Sequence, residues 1–282
     1  MNRKLLIIGA NGQLGKALQA QYPDAQALDT NQLDISDRQA VDSYNWEDVT
    51  TILNAAAYTN VDGAETAEGR EAAWATNATA PAHLARQCIK HGITLVHIST
   101  DYVFDGTRDP HTEDEAYAPL SVYGQTKAAG DIAVSLNPQH YILRTSWVIG
   151  DGKNFVRTML GLGQKGVDPK VVSDQIGRLT FTTELARVID YLLANRLPYG
   201  TYNVSNDGPP ASWADITRQI FAAAQLERTV TDISTAEYYK DKPEAAPRPL
   251  KSTLDLTKIK SVGFEPADWQ DNLKTYLQKE LA

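Results

Sequence analysis

The chain has 282 residues, 42% hydrophobic and 22% charged, with a formal net charge of −8. That length buries a full core, as one large domain or two closely joined ones. The acidic balance argues against a nucleic acid or an anionic membrane held by bulk electrostatics, and a lone cysteine, Cys88, excludes an intrachain disulfide and a thiolate metal site and is expected to be a buried thiol.

"KLLIIGA" (Lys4 to Ala10) is a continuous apolar run, the pattern of a strand covered on both faces of a parallel sheet. A helical pattern follows from Gln13 to Tyr22, then the strand "AQALDT", the helix "DRQAVDSYN" and the strand "TILNAAAY". Glu65 to His91 read as a long helical stretch broken near Pro81, before the strand "TLVHIST". A helix carrying Tyr123 and Lys127 leads to "HYILRTSWVIG". This alternation predicts an α/β doubly wound parallel sheet with right-handed crossovers. The dinucleotide-binding part is placed at 1–149, joined by a helix near 183–195, and a smaller α/β substrate lobe at 150–282. In that second part helices are expected at Asn154–Leu162, Thr183–Asn195, Trp213–Gln225 and Trp269–Leu281, with short strands such as "GTYNVSN" between them. The proline-rich "KPEAAPRPLKS" suits a pocket wall. The opening "MNRKLLIIGANG" has too short an apolar run for a signal peptide, and no segment reaches the roughly 18 apolar residues of a membrane span. A cytoplasmic protein without a membrane partner is the expectation.

Three places carry chemistry. Gly9, Asn11, Gly12, Gln13, Leu14 and Gly15 lie directly after the first strand and open the first helix. Glycines there permit a tight turn and a close approach to a pyrophosphate, which the helix N-terminus attracts. Asp29 ends the second strand, where a carboxylate can bond a ribose 2′-hydroxyl, or simply cap a turn. Asp34 and Ile35 offer a polar–apolar pair for an adenine edge. Finally, Ser99-Thr100-Asp101 end a strand, and Tyr123 and Lys127 stand one helical turn apart. An ammonium on the same helix face would draw the phenol pKa down, so that Tyr123 could protonate a carbonyl oxygen as hydride reaches its carbon.

These stretches, with "LNAAAYTNVDGAE", "STDYVFDG", "YGQTK", "RTSWVIG", "DQIGRLT" and "RPLKSTLD", resemble the extended short-chain dehydrogenase/reductases along nearly the whole chain. The resemblance implies an NADPH- or NADH-dependent oxidoreductase that reduces the 4-keto group of dTDP-6-deoxy-L-lyxo-4-hexulose to give dTDP-L-rhamnose, the last step in making that precursor of cell-surface polysaccharide. Tyr123 would be the proton donor, Lys127 would hold the nicotinamide ribose and Thr100 would position the keto oxygen. Ala56, Ala57, Tyr58 and Thr59 would line the path to the nicotinamide. Asp101, Tyr102, Trp147, Asn154, Arg178 and Arg248 would meet the sugar nucleotide, with Arg248 on its diphosphate. Some members bind Mg²⁺ between subunits through glutamates. Here Lys16 and Ala17 follow the glycine loop and only Glu184 and Glu280 remain as candidates, so no metal is expected and the chain should be a monomer or weak homodimer. Two alternatives stay open: a reductase of another nucleotide-linked 4-keto sugar, and a non-catalytic protein similar to the regulatory subunit of methionine adenosyltransferase.

Overall fold

The computed structural model describes residues 4–281. The first half runs β1 (Lys4–Ile8), α1 (Gln13–Gln21), β2 (Gln26–Leu28), α2 (Arg38–Ser43), β3 (Val49–Asn54), α3 (Ala67–Trp74), α4 (Ala80–His91), β4 (Thr94–Thr100), α5 (Val122–Ser135) and β5 (His140–Thr145). Then come β6 (Val148–Ile149), α6 (Phe155–Gln164), β7 (Lys170–Val172), β8 (Ile176–Gly177), β9 (Thr180–Phe181) and α7 (Thr182–Ala194). The chain closes with β10 (Gly200–Asn203), β11 (Ala211–Ser212), α8 (Trp213–Ala223), β12 (Thr231–Ile233), α9 (Thr235–Tyr239), α10 (Thr257–Ser261) and α11 (Trp269–Leu281).

Six strands form one parallel sheet in the order β2-β1-β3-β4-β5-β10. Leu6, Ile7, Ile52 and Leu53 are buried because helices cover both faces, which is why consecutive residues of these strands are apolar rather than alternating. On one face Leu84, Cys88 and Val134 pack over Leu6, Ile52 and Leu95. On the other, Leu14, Leu18, Val188 and Ile189 pack over Ile7, Leu53 and Val96. Strand order reverses at β1, so the crevice between the carboxyl ends of β1 and β3 is where such sheets receive a ligand. A separate cluster, with Trp269, Phe221, Leu160 and Val156, joins α6, α8 and α11 in the second lobe. Its strands form three two-stranded pieces, β6 with β9, β7 with β12 and β8 with β11.

Two features differ from the sequence expectation. "GTYNVSN" is not a strand of the second lobe: β10 pairs with β5, Tyr202 opposite Leu143, and becomes the edge of the main sheet. The helix expected to break near Pro81 is interrupted just before it, by a widened turn rather than by an open loop. Residues 75–79 form a π-helical turn, closed by Ala80 N–H donating to Ala75 O, and Pro81 sits at the start of α4. The widened turn absorbs the amide that proline lacks, and it turns Asn77 inward.

Candidate active site

The glycine loop is held by contact rather than by sequence pattern alone. Gly9 has φ +84°, and a Cβ there would lie 2.6 Å from Ala56 N. The loop thus presses against the chain leaving β3, and only glycine satisfies both the backbone angle and the space. Gly12 caps α1 through its backbone alone. A cleft of about 380 Å³ opens beside it, lined by Gly9, Asn11, Gly12, Asp29, Ile35 and Ala56 among others. Asn11 Nδ2 donates to Asp29 Oδ2 at 2.5 Å, and Asn31 N–H donates to Asp29 Oδ1 at 3.0 Å. Asp34 turns its carboxylate to Ser36 N–H and Oγ, contacts that hold its pKa below the usual range. Ala57 also lines the cleft, whereas Leu14 points into the core and Gln13 reaches toward Lys153 O. Tyr58 is clamped at its backbone, since Asn77 Oδ1 accepts from Tyr58 N–H and Asn77 Nδ2 donates to Tyr58 O; Thr59 beside it is exposed.

At the carboxyl edge of β4 the chain turns sharply through Asp101–Val103, with the Thr100 hydroxyl accepting from Tyr102 N–H at 3.2 Å and donating to Asp101 Oδ1 at 3.0 Å. Opposite, Ser121 caps α5 by accepting from Gly124 N–H, and Glu65 Oε1 accepts from Val122 N–H. These contacts fix the first turn of α5, and with it Tyr123. Gly124 lets that turn approach: a Cβ there would meet Tyr102 O at 2.2 Å. Tyr102 and Tyr123 meet edge to face, with centroids 5.4 Å apart.

The electrostatics correct one expectation. Burial holds the Tyr123 phenol well above its ordinary pKa; Thr100 beside it acts downward, and the charges of Asp101 and Asp131 act upward. The Lys127 ammonium donates to Ile98 O at 2.5 Å, and burial pushes its own pKa down to about 8, against the pull of Asp131. In this structure the phenol is therefore not acidified by its neighbour. It is a neutral hydroxyl near pH 7, the form that donates a proton. Asp101 is raised to about 6, chiefly by burial.

Trp147, at φ +48°, stacks on Trp213 with centroids 3.7 Å apart, and Trp213 Nε1 donates to Gln175 Oε1. Gly177 leaves room for the Trp147 indole, since a Cβ would come within 3.0 Å of it. Arg248 donates to Ala246 O at 2.7 Å and pairs with Asp62 at 2.8 Å, close enough to Tyr102 to act on its ionisation. Asn154 and Arg178, expected at the substrate, are engaged with the scaffold. Asn154 caps α6 and donates to Gly150 O and Tyr276 Oη, while Arg178 donates to Gly208 O and Leu254 O. Glu184 pairs with Arg187 and Glu280 with Arg157, both at 2.7 Å. Among the described residues, no group of three or more His, Cys, Asp or Glu is placed to hold a metal ion.

Sequence reasoning passed over the polar cluster beneath Lys127. His97, Asp131 and Arg144 are all buried, and Ser99 Oγ donates to Asp131 Oδ2 at 2.8 Å. The available signal was a histidine and an arginine inside otherwise apolar strands, with a carboxylate four residues beyond Lys127.

The profile of the family described as "RmlD substrate binding domain" matches residues 3–282. The chain belongs to this family. As an RmlD-family member it is 39% identical to the dTDP-4-dehydrorhamnose reductase of Aggregatibacter actinomycetemcomitans, across 96% of this chain and 97% of that relative. It is 38% identical to a probable dTDP-4,6-dihydroxy-2-methyloxan-3-one 4-ketoreductase of Streptomyces antibioticus, across 98% and 95%. Among solved structures, dTDP-4-dehydrorhamnose reductase of Bacillus anthracis in complex with NADP superposes with a TM-score of 0.92 at 36% identity, covering 99% of this chain and 100% of that one.

Proposed function

We propose that this chain is an NAD(P)H-dependent dTDP-4-dehydrorhamnose reductase, which reduces the 4-keto group of dTDP-4-dehydro-L-rhamnose to give dTDP-L-rhamnose. The observation that carries this reading is the neutral, buried Tyr123 phenol beside the Thr100 hydroxyl, at the sheet edge next to a glycine-lined cleft, in a chain matched end to end by relatives of that name.

The cleft fits a dinucleotide. At Gly15 an added Cβ would meet Gly9 O at 2.1 Å, so the α1 N-terminus lies hard against the glycine loop that lines the cleft. Gly9, Asn11, Gly12 and Asp29 would hold the adenosine half, and Lys127 the nicotinamide ribose. When bound, NAD(P)H supplies the hydride. Tyr123 Oη gives its proton to the 4-keto oxygen, and Thr100 Oγ1 steadies that oxygen for the transfer. Asp101 and Tyr102 bound the sugar. Trp147 and Trp213 present an aromatic wall to the nucleotide, and Arg248 faces its diphosphate, where a guanidinium suits paired oxygens. A monomer or weak homodimer working in the cytoplasm, with a sugar nucleotide as its partner, completes the proposal.

The test is consumption of NADPH or NADH by the purified protein with a panel of dTDP-linked 4-keto sugars. Tyr123→Phe should lower kcat by about 10²–10⁴-fold while dinucleotide binding persists. A Tyr123→Phe protein at full turnover would refute the assigned role. Faster turnover of a different keto sugar would move the substrate toward that of the Streptomyces antibioticus relative.

A further inference from the structure

We infer that Asp131 is a positioning residue of this reductase: a buried carboxylate, one helical turn beyond Lys127, that keeps the lysine an ammonium where the dinucleotide meets it. The inference rests on the reading above that Lys127 serves the dinucleotide.

Both side chains are buried, and four residues on α5 put them on one face. The carboxylate is not saturated by an ordinary arginine pair. Arg144 Nε stands 3.4 Å from Asp131 Oδ2, while its Nη1 is committed to Glu113 O at 3.0 Å. Asp131 Oδ1 has no hydrogen-bond partner, and neither has His97 Nε2, which faces it at 3.8 Å.

The tautomer of His97 follows from its other neighbours. Asn54 Oδ1 accepts from Ala56 N–H at 3.2 Å, which leaves Asn54 Nδ2 to donate to His97 Nδ1 at 3.1 Å. Nδ1 is thus an acceptor, and the proton of the neutral ring sits on Nε2, pointing at Asp131. Burial, with Lys127 adding to it, pushes the imidazolium pKa far down, so His97 stays neutral. Hydrogen bonds therefore link Ala56, pressed against the glycine loop, through Asn54 to His97, whose Nε2 faces the carboxylate beneath Lys127 without a hydrogen bond.

The charges of this buried cluster are two cations, Lys127 and Arg144, and one anion, Asp131, whose carboxyl pKa burial raises against the downward pull of Arg144, Lys127 and Ser99; the Tyr117 hydroxyl also borders it. Without the anion, two like charges would share a site that water does not reach, and the lysine would shed its proton. The other groups packed against α5 do not replace it. The 101–103 turn brings Asp101 and Tyr102, the 63–65 turn brings Glu65 to the amide of Val122, and Tyr123 is itself on α5. From α4 comes Cys88, its thiol pushed up to about 12 by burial, while α3 and the π turn bury Ala73, Asn77 and Ala78. With Asp131 present the lysine still titrates near 8; the anion decides whether it is charged at neutral pH.

The experiment is the pH dependence of NADPH affinity and of keto-sugar turnover, in wild type and in Asp131→Asn, which keeps an acceptor for Ser99. In the variant the alkaline limb of both should move down by about 1–3 pH units, so that the loss at pH 8 is at least about tenfold while at pH 6 the two proteins agree within about threefold. A limb that stays in place, or a uniform loss at every pH, overturns the inference, because packing damage does not depend on pH. Should Asp131→Asn fail to fold, the smaller neutral variant Asp131→Ser decides by the same reading: an alkaline limb of NADPH affinity displaced downward from that of wild type supports the inference, and a limb in the wild-type place overturns it. A wild type that binds NADPH but turns over no keto sugar counts against the proposed substrate alone, and the binding profile still judges Asp131.

Discussion

Gly15→Ala should destabilise the fold even though it puts the best helix former into a helix. In a helix interior alanine gains about 1 kcal/mol over glycine. At Gly161 on α6 nothing lies within 4 Å of an added Cβ, so Gly161→Ala should realise that gain. At Gly15 on α1 the same atom would sit 2.1 Å from Gly9 O and 2.7 Å from Ala10 O. Both are backbone atoms of the glycine loop and cannot rotate away. Restoring ordinary contact shifts α1 by about 1 Å, and forced repacking of this kind costs about 1–3 kcal/mol. The two variants should therefore lie on opposite sides of wild type, separated in Tm by on the order of 5 °C. Thermal and urea unfolding give the stabilities, and NADPH titration reports the loop: Gly15→Ala should bind several-fold more weakly and Gly161→Ala unchanged. A Gly15→Ala protein at least as stable as wild type, with full affinity, would refute the close seating of α1 against the loop.

Three further outcomes follow from buried groups. The Asp101 carboxyl, raised from 3.8 to about 6 by burial, binds its proton more tightly in the folded chain than in the unfolded one. Its ionisation therefore costs stability as pH rises through that window. Asp101→Asn should gain on the order of 2 kcal/mol at about pH 7.5 and little at about pH 4; urea unfolding at both pH values checks this, and an equal gain at both would contradict it. Leu84→Ala, at a fully buried position between α4 and the sheet, should cost about 2–5 kcal/mol in the same assay with kcat unchanged. Arg248→Lys replaces a planar fork by a point charge; KM for the sugar nucleotide should rise about tenfold with kcat little affected, and an unchanged KM would remove Arg248 from the diphosphate.

Much of the sheet was legible because its strands are local apolar runs bounded by glycine or polar turns. β1 and β4 read directly from "KLLII" and "TLVHIST", and α1 from the spacing of Leu14 and Leu18. β10 was misplaced for a physical reason: its partner Tyr141 lies some sixty residues earlier, and no local pattern reports so distant a pairing. Tyr123 and Lys127 were visible because helical spacing puts them on one face in a chain that also carries the glycine loop and Ser99-Thr100-Asp101 at a strand end. Their electrostatics were not, since the pKa of Tyr123 is set by burial, which depends on Tyr102, Gly124 and the sheet edge together. Trp147 read as a strand-end aromatic, and its stack on Trp213 depends on a left-handed backbone that its neighbours do not announce. Family likeness points to Asn154 as a ligand contact, while its place just before "FVRTML" is that of a helix cap.

The core over one face of the sheet draws Ile7 and Leu14 from the beginning of the chain and Leu185, Tyr202, Leu256 and Phe264 from far along it. A cut after residue 149 would strip α7 and β10 from that face and leave Tyr141 and Leu143 bare to water. Neither half is then a module that could be transplanted. Chimeras between this chain and its relatives should survive when whole faces of the sheet are exchanged together, and fail when a crossover point is chosen by counting along the sequence.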